Sequence, residues 1–334
     1  MTTWAGSNTN HILSQRGLIP IMSKIAFIFP GQGSQFLGMG QDFYEAHAWA
    51  REIFDLADEV TGKAISRLCF EGPLEELTLT VNLQPALTAV NLICFKSLAE
   101  KGVTPDAVAG HSAGEYSALA AAGIISMSDA FKLVNKRGEL MQREAEKRPG
   151  AMQAIIGLEP GQVEEITELA KAHGQVVVAN YNTPQQTVIT GEGEAVAVAA
   201  KFADTKGARV VPLAVSGAWH SPLMEQAAED FADIIMETEF SEPICDIYLN
   251  VTAQKETDPD QIKSIMTRQI ISPVKWFEII ENMMADGMTR FVEVGPKKVL
   301  TGLNRKIVPK GGTVTTVNIE NMPGLEKALE KLEK

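Results

Sequence analysis

Cysteine is scarce: Cys69, Cys94 and Cys245 stand far apart in 334 residues. No C-x-x-C pair and no Cys/His ligand spacing is present, so no metal site is expected. An odd, sparse count fits thiols held in a core in a reducing cytosol, so the expected location is cytoplasmic. Long apolar runs are missing too. No stretch approaches the ~20 residues that span a bilayer. The first 21 residues are polar, without the apolar centre of a signal peptide. Segment 1–21 therefore reads as an extension outside the fold. Basic residues are outnumbered, 30 Lys and Arg against 42 Asp and Glu, giving a formal charge of −12. That surplus argues against non-specific nucleic-acid binding and against a basic membrane surface. Internal repeats, low-complexity tracts and long linkers are also absent. What remains is a globular chain, 45% hydrophobic, long enough for about two domains. A monomer is the default.

Ile25-Ala-Phe-Ile-Phe29 is a continuous apolar run of strand length, suited to a buried parallel strand. Helical patterns follow, one of them opening at Pro85 and stopping at Gly102. Asp129 is a plausible cap for a long helix that ends near Pro149. From Gly150 to about Ser216 the pattern changes to β-α-β-β-α-β, the ferredoxin-like order, with a turn-rich Asn180-Tyr-Asn-Thr-Pro184 between its middle strands. Afterwards strands and helices alternate again. The expectation is an α/β protein whose large domain (22–149 and 216–334) has a mostly parallel sheet. A small ferredoxin-like domain (150–215) is inserted into it.

Gly110-His-Ser-Ala-Gly114 spells G-x-S-x-G between a short buried strand, Asp106–Ala109, and a helix that begins at Glu115. A serine in such a sharp strand-to-helix turn has an exposed oxygen, and the flanking glycines remove side chains that would clash. The helix aims its free N–H groups at the reacting centre. Ser112 is thus the candidate nucleophile, and the N–H of Ala113 is a candidate oxyanion donor.

A serine nucleophile needs a base within reach. Of five histidines, His11 lies in the extension, His47 in a polar helix and His173 on the insert. His111 is inside the motif and points away from its neighbour's oxygen. His220, in the loop Ser216–Pro222, is the best candidate by elimination. Arg137 falls in the middle of an apolar helical stripe formed by Ala130, Leu133, Val134, Leu140 and Met141. A buried guanidinium needs an anion. A structural carboxylate and a substrate carboxylate fit equally well. Gly31-Gln-Gly-Ser34 lacks the Gly-Lys-Ser/Thr of a phosphate loop. It is either an ordinary turn or one that presents the Gln32 N–H as a second oxyanion donor. Gln84 either lines a site or caps a helix, and its spacing favours the cap. Gln269 ends a helix, where solvent exposure is the plain expectation. Lys297, Lys298, Arg305 and Lys306 form either a solvated face or a landing site for an acidic partner.

Several spaced stretches together resemble the malonyl-CoA:acyl carrier protein transacylases. They are Phe29-Pro-Gly-Gln-Gly-Ser-Gln35, Gln84-Pro-Ala-Leu87, Gly110-His-Ser-Ala-Gly-Glu-Tyr-Ser-Ala-Leu119, Arg137-Gly138 and Gly150-Ala-Met152. Trp219-His-Ser-Pro-Leu-Met224, Arg268-Gln269, and Val294-Gly-Pro296 with Val299-Leu300 complete the set. The resemblance spans Lys24 to about Val308. It implies an α/β-hydrolase-like large domain and a site in the cleft beside the insert. Ser112 would carry a malonyl ester, with His220 as base and then acid, and the Gln32 and Ala113 N–H groups would hold the oxyanion. Arg137 would grip the free malonyl carboxylate, Gln84 would line the pocket, and Gln269 would orient His220. The expected substrate is malonyl-CoA, and the expected partner is a phosphopantetheinylated acyl carrier protein of fatty-acid synthesis. No bound cofactor is implied. The chain departs from the pattern at Ala113, where a larger apolar residue is common, and at Trp219, where phenylalanine or serine is more familiar. A serine thioesterase would share Ser112 and His220 but needs an acid between them in the chain. A non-catalytic carrier-binding module is the remaining alternative.

Overall fold

Ten strands build two sheets in a computed structural model that describes residues 24–309 and 311–332. In chain order they are β1 (Lys24–Phe29), β2 (Ala107–Gly110), β3 (Gly150–Ile156), β4 (Val176–Thr183), β5 (Gln186–Glu192), β6 (Arg209–Pro212), β7 (Asp246–Tyr248), β8 (Lys255–Glu256), β9 (Met288–Val294) and β10 (Thr315–Ile319). The extension expected over 1–21 lies outside the described residues.

The larger sheet runs β10-β9-β1-β2-β7-β8. Its first five strands are parallel, and β8 turns back against β7. The composition of β1 follows from its place at the centre. Ala26, Phe27, Ile28 and Phe29 are all fully buried. Phe27 and Phe29 enter one core with Leu87, Val108 and Leu119, while Ala26 and Ile28 enter the other with Trp276 and Phe291. Side chains alternate between faces, so a strand covered on both sides is apolar at every position.

The smaller sheet has the order β4-β5-β3-β6, and each pairing is antiparallel. Helices Pro160–Ala170 and Gly193–Thr205 complete the β-α-β-β-α-β succession. Val163, Ile166, Val196 and Ala199 bury against Ile155 and Ile189 of the sheet. This is the ferredoxin-like arrangement expected from the sequence. The chain enters and leaves this sheet at one point. Gly150 N–H donates to the Ser216 carbonyl at 3.4 Å, and a Cβ on Gly150 would lie 2.6 Å from Ala218 Cβ. The segment after that exit carries His220 back over the larger sheet.

Local differences from the sequence reading have physical causes. The helix expected to open at Pro85 begins at Thr80 and runs to Ala99. Proline offers no N–H to the carbonyl four residues back, that of Val81. Lys63 Nζ donates to that oxygen instead, at 3.1 Å, and the helix continues. The long helix expected from Asp129 starts at Met127 because Ser126 caps it, its hydroxyl accepting from the Asp129 N–H at 3.0 Å. The stretch Asn180–Thr183 is strand rather than turn. The Tyr181 N–H donates to the Val274 carbonyl at 2.8 Å, and only Pro184 and Gln185 separate β4 from β5. Strand β10 and the helix Met322–Leu332 were not anticipated.

Candidate active site

The parallel strands β1 and β2 end together, with Phe29 beside Gly110, and both of their following turns rise at the same edge. In the second turn Ser112 is held at φ 53°, a left-handed conformation uncommon for a residue with a side chain. Hydrogen bonds on both sides keep it there. The Ser112 N–H donates to Asn250 Oδ1 at 2.8 Å, and the Ser112 carbonyl accepts from Gln269 Nε2 at 2.9 Å. A Cβ on Gly110 would lie 2.1 Å from the Gly114 carbonyl, and one on Gly114 would lie 2.2 Å from the Phe29 oxygen. The motif's outer glycines are therefore steric requirements of the turn.

His220 meets this turn from the loop after β6. Its Nε2 lies 2.8 Å from Ser112 Oγ. Its Nδ1 faces the carbonyl oxygens of Ser272 at 2.9 Å and Gln269 at 3.2 Å. A proton on Nδ1 satisfies those acceptors and leaves Nε2 free to accept from the serine. Burial, followed by the nearby Arg137 and His111, lowers the His220 pKa to about 3. The imidazole of the free protein is thus neutral.

Arg137 is buried in the stripe that the sequence indicated, at 1% exposure. Its Nε donates to Gln269 Oε1 at 3.1 Å, its Nη1 to Gln84 Oε1 at 2.9 Å and its Nη2 to Ser112 Oγ at 3.3 Å. Its guanidinium carbon lies 5.7 Å from the centre of the Tyr116 ring. Two expectations change here. Gln84 neither caps a helix nor sits on the cleft wall: it is buried behind Arg137, inside the helix Thr80–Ala99, and braces the guanidinium. Gln269 is not solvated. Its backbone carbonyl faces His220, while its side chain holds Arg137 and the serine turn.

Gln32 and Ala113 line one cleft with Ser112, Arg137, Trp219 and His220. The first turn presses against the second: a Cβ on Gly31 would lie 2.3 Å from the His111 oxygen and 3.7 Å from the Ala113 nitrogen. Among the described residues neither the Gln32 nor the Ala113 N–H donates to another protein group. Two unspent donors beside a nucleophile can serve a developing oxyanion. The opposite wall includes Met152 and Asn180 from the smaller sheet, with Leu213 and Val215 beyond β6. Among the described residues no cluster of His, Cys, Asp or Glu is arranged to hold a metal ion, and no helix is long and apolar enough to cross a membrane.

Four residues of this site escaped the sequence reading. Ser272 supplies the shorter of the two carbonyl contacts to His220. Asn182 Oδ1 lies 2.9 Å from His111 Nε2, tying the smaller sheet to the serine turn. Asn250 and Glu115 underlie the turn itself, and the Asn250 N–H donates to Glu115 Oε1 at 2.6 Å. A signal existed for Glu115: it is the lone charged residue in the otherwise small and apolar helix Gly114–Ala121.

Residues 26–322 match the acyl transferase domain family. The malonyl CoA-acyl carrier protein transacylase of Bacillus subtilis is 42% identical over 313 residues, covering 93% of this chain and 98% of that protein. That of Escherichia coli strain K12 is 40% identical over 312 residues, covering 92% of this chain and 100% of that protein. Among solved structures, MCAT from Streptococcus pneumoniae superposes with a TM-score of 0.87 at 39% identity, covering 92% and 100% of the two chains. A malonyl-transacylase solved in complex with its type II PKS acyl-carrier protein gives 0.88 at 38% identity, again covering 92% and 100%.

Proposed function

The chain belongs to the acyl transferase domain family, and from that footing we propose that it moves a malonyl group from malonyl-CoA to the phosphopantetheine thiol of acyl carrier protein. The transfer passes through an ester on Ser112 and supplies fatty-acid synthesis. The observation that carries this reading is one constellation: Ser112 Oγ lies 2.8 Å from His220 Nε2 and 3.3 Å from Arg137 Nη2 in a single cleft.

The chemistry follows from those contacts. His220 Nε2 takes the hydroxyl proton as Ser112 Oγ attacks the thioester carbonyl. The Gln32 and Ala113 N–H groups receive the negative charge on the carbonyl oxygen. As the C–S bond breaks, His220 returns the proton to the departing CoA sulfur. The malonyl ester then waits with its free carboxylate on Arg137, where a two-pronged ion pair matches the planar guanidinium. The carrier thiol enters, gives its proton to His220 and attacks the ester, and the same steps run in reverse. His220 is oriented by two backbone carbonyls where a hydrolase triad places a carboxylate. A thioester has a good leaving group, so this weaker support is enough. Cys69, Cys94 and Cys245 are free thiols, which supports a reducing, cytoplasmic setting.

Intact mass spectrometry after brief exposure to malonyl-CoA tests the proposal. One malonyl adduct mapping to Ser112 is expected, discharged when phosphopantetheinylated carrier protein is added. Absence of the adduct, or release of free malonate at one rate with and without carrier, would refute it.

A further inference from the structure

The carboxylate of Glu115 is fully buried under the serine turn and, among the described residues, touches no cation directly. Its two oxygens accept from two different elements. The Asn250 N–H donates to Oε1 at 2.6 Å, and Gln269 Nε2 donates to Oε2 at 2.9 Å. Asn250 and Gln269 are each only 1% exposed, so water offers no substitute partners. The same Gln269 amide donates to the Ser112 carbonyl at 2.9 Å and presents Oε1 to Arg137 Nε at 3.1 Å.

An amide side chain has a donating end and an accepting end. Which end faces Arg137 depends on what stands at the other end. A backbone N–H can only donate, so the contact from Asn250 obliges Glu115 to accept there. A carboxylate also accepts at its second oxygen, and together with the Ser112 carbonyl it calls for the Gln269 NH2 at that end. Gln269 Oε1 is then left for the guanidinium. A side chain of this length with one donating end would set a donor against that NH2 while the Ser112 carbonyl still calls for it, and the Gln269 amide could relieve the clash only by shifting its oxygen away from Arg137 Nε.

We propose that Glu115 is a positioning residue for malonyl recognition: its two accepting oxygens fix the Gln269 amide, and the amide fixes the aim of Arg137 into the cleft. This rests on the reading of Arg137 as the malonyl clamp. The relay predicts a selective defect. Losing it disturbs the grip on a charged acyl group more than the attack of Ser112 on an uncharged one.

The decisive variant is Glu115→Gln, which keeps the shape and replaces one accepting end with a donor. Acylation of Ser112 by malonyl-CoA and by acetyl-CoA is measured side by side by quenched mass spectrometry, with Arg137→Ala alongside. The malonyl-to-acetyl ratio of kcat/KM is expected to fall about tenfold or more in Glu115→Gln, mainly through KM for malonyl-CoA. Equal losses for both substrates would mean a merely structural role and would overturn the proposal. If Arg137→Ala leaves the ratio unchanged, the clamp reading itself fails. If Arg137→Ala collapses the ratio and Glu115→Gln does not, only the present inference fails.

A second measurement needs no variant. Burial pushes the Glu115 pKa up to about 7 against the opposing pull of Asn250, Gln269 and Arg137. Protonation converts one accepting oxygen into a donor, as the amide does. The other groups around it are Arg137, a cation; Tyr116, whose hydroxyl is pushed up by burial; and His220, held at about 3. None of these changes charge near neutrality. The wild-type malonyl-to-acetyl ratio should therefore fall as pH drops from 8 to 6. A constant ratio over that range, in a protein whose Glu115 carboxyl is seen by infrared difference spectroscopy to protonate within it, overturns the proposal even if Glu115→Gln fails to fold.

Discussion

The Arg137 guanidinium lies 3.3 Å from the Ser112 hydroxyl oxygen, and among the described residues its hydrogen-bond acceptors are all uncharged: Gln84, Gln269 and Ser112. Among the described residues the carboxylate of Glu115 makes no hydrogen bond to it and is joined to it through the Gln269 amide. A buried cation without a carboxylate in contact is costly alone and well suited to an anionic substrate. Of the two partners that the sequence left open, the geometry favours the one that arrives with the substrate.

Arg137→Ala is expected to lower kcat/KM for malonyl-CoA by about 10²–10³-fold, the usual loss when one member of a buried ion pair is removed. Acetyl-CoA, with no carboxylate to pair, should lose far less and come to rival malonyl-CoA. Steady-state rates on the two substrates check this. Parallel losses would remove Arg137 from recognition.

Much of this arrangement was legible in the chain. The apolar run at Ile25–Phe29 fixed a central strand because both faces of β1 are covered. The stripe around Arg137 announced a buried charge. The glycines of the serine turn announced a tight elbow, which the 2.1 Å and 2.2 Å clashes at Gly110 and Gly114 explain. What stayed hidden is the layer beneath. Asn250 and Ser272 lie more than 130 residues from Ser112, and no local periodicity marks a polar group that a distant element will bury. Pro85 misled for a related reason. Its helix continues because Lys63, from another part of the chain, satisfies the carbonyl that proline abandons.

His220→Ala should slow acylation of Ser112 by about 10²–10⁴-fold, the range for loss of a general base. The pH dependence carries more information. A histidine held at about 3 by burial, Arg137 and His111 is already deprotonated at every pH above that value. Acylation by acetyl-CoA, which does not need the clamp, should show no acid limb near the ordinary histidine value of 6.5. Rapid-quench rates from pH 5 to 8 test this. A tenfold fall per unit below 6.5 would show that the imidazole titrates normally.

Gly31→Ala probes the oxyanion donors without touching the serine. The added Cβ would meet the His111 oxygen at 2.3 Å, so the first turn must move away from the second and take the Gln32 N–H with it. Loss of one such donor typically costs about 10²–10³-fold in kcat. KM for malonyl-CoA should change little, because Arg137 and its braces lie on other elements. Full kinetic curves for the variant decide the matter, and an unchanged kcat would exclude the Gln32 amide from the reaction.

Glu293 offers a test of the fold's electrostatics away from the chemistry. It is a fully buried residue of β9, and its carboxylate accepts from the Leu300 and Thr301 N–H groups at 2.9 and 2.7 Å, at the start of the helix Val299–Ile307. Burial outweighs those bonds and raises its pKa from 4.5 to about 7. The folded protein therefore binds more protons at this site than the unfolded chain does between those values. The resulting stabilisation is fully present below about 4.5 and is lost as pH rises through about 7. Its size is on the order of 3 kcal/mol, a few degrees in Tm for a chain of this length. Glu293→Gln has no proton to lose at this position, whereas Glu115 titrates in both proteins and cancels. The Tm of the wild type minus that of Glu293→Gln should shrink between pH 5 and pH 8. A difference that stays constant would mean that the carboxyl of Glu293 titrates alike in the folded and unfolded chains, and that the bonds from Leu300 and Thr301 fully offset its burial.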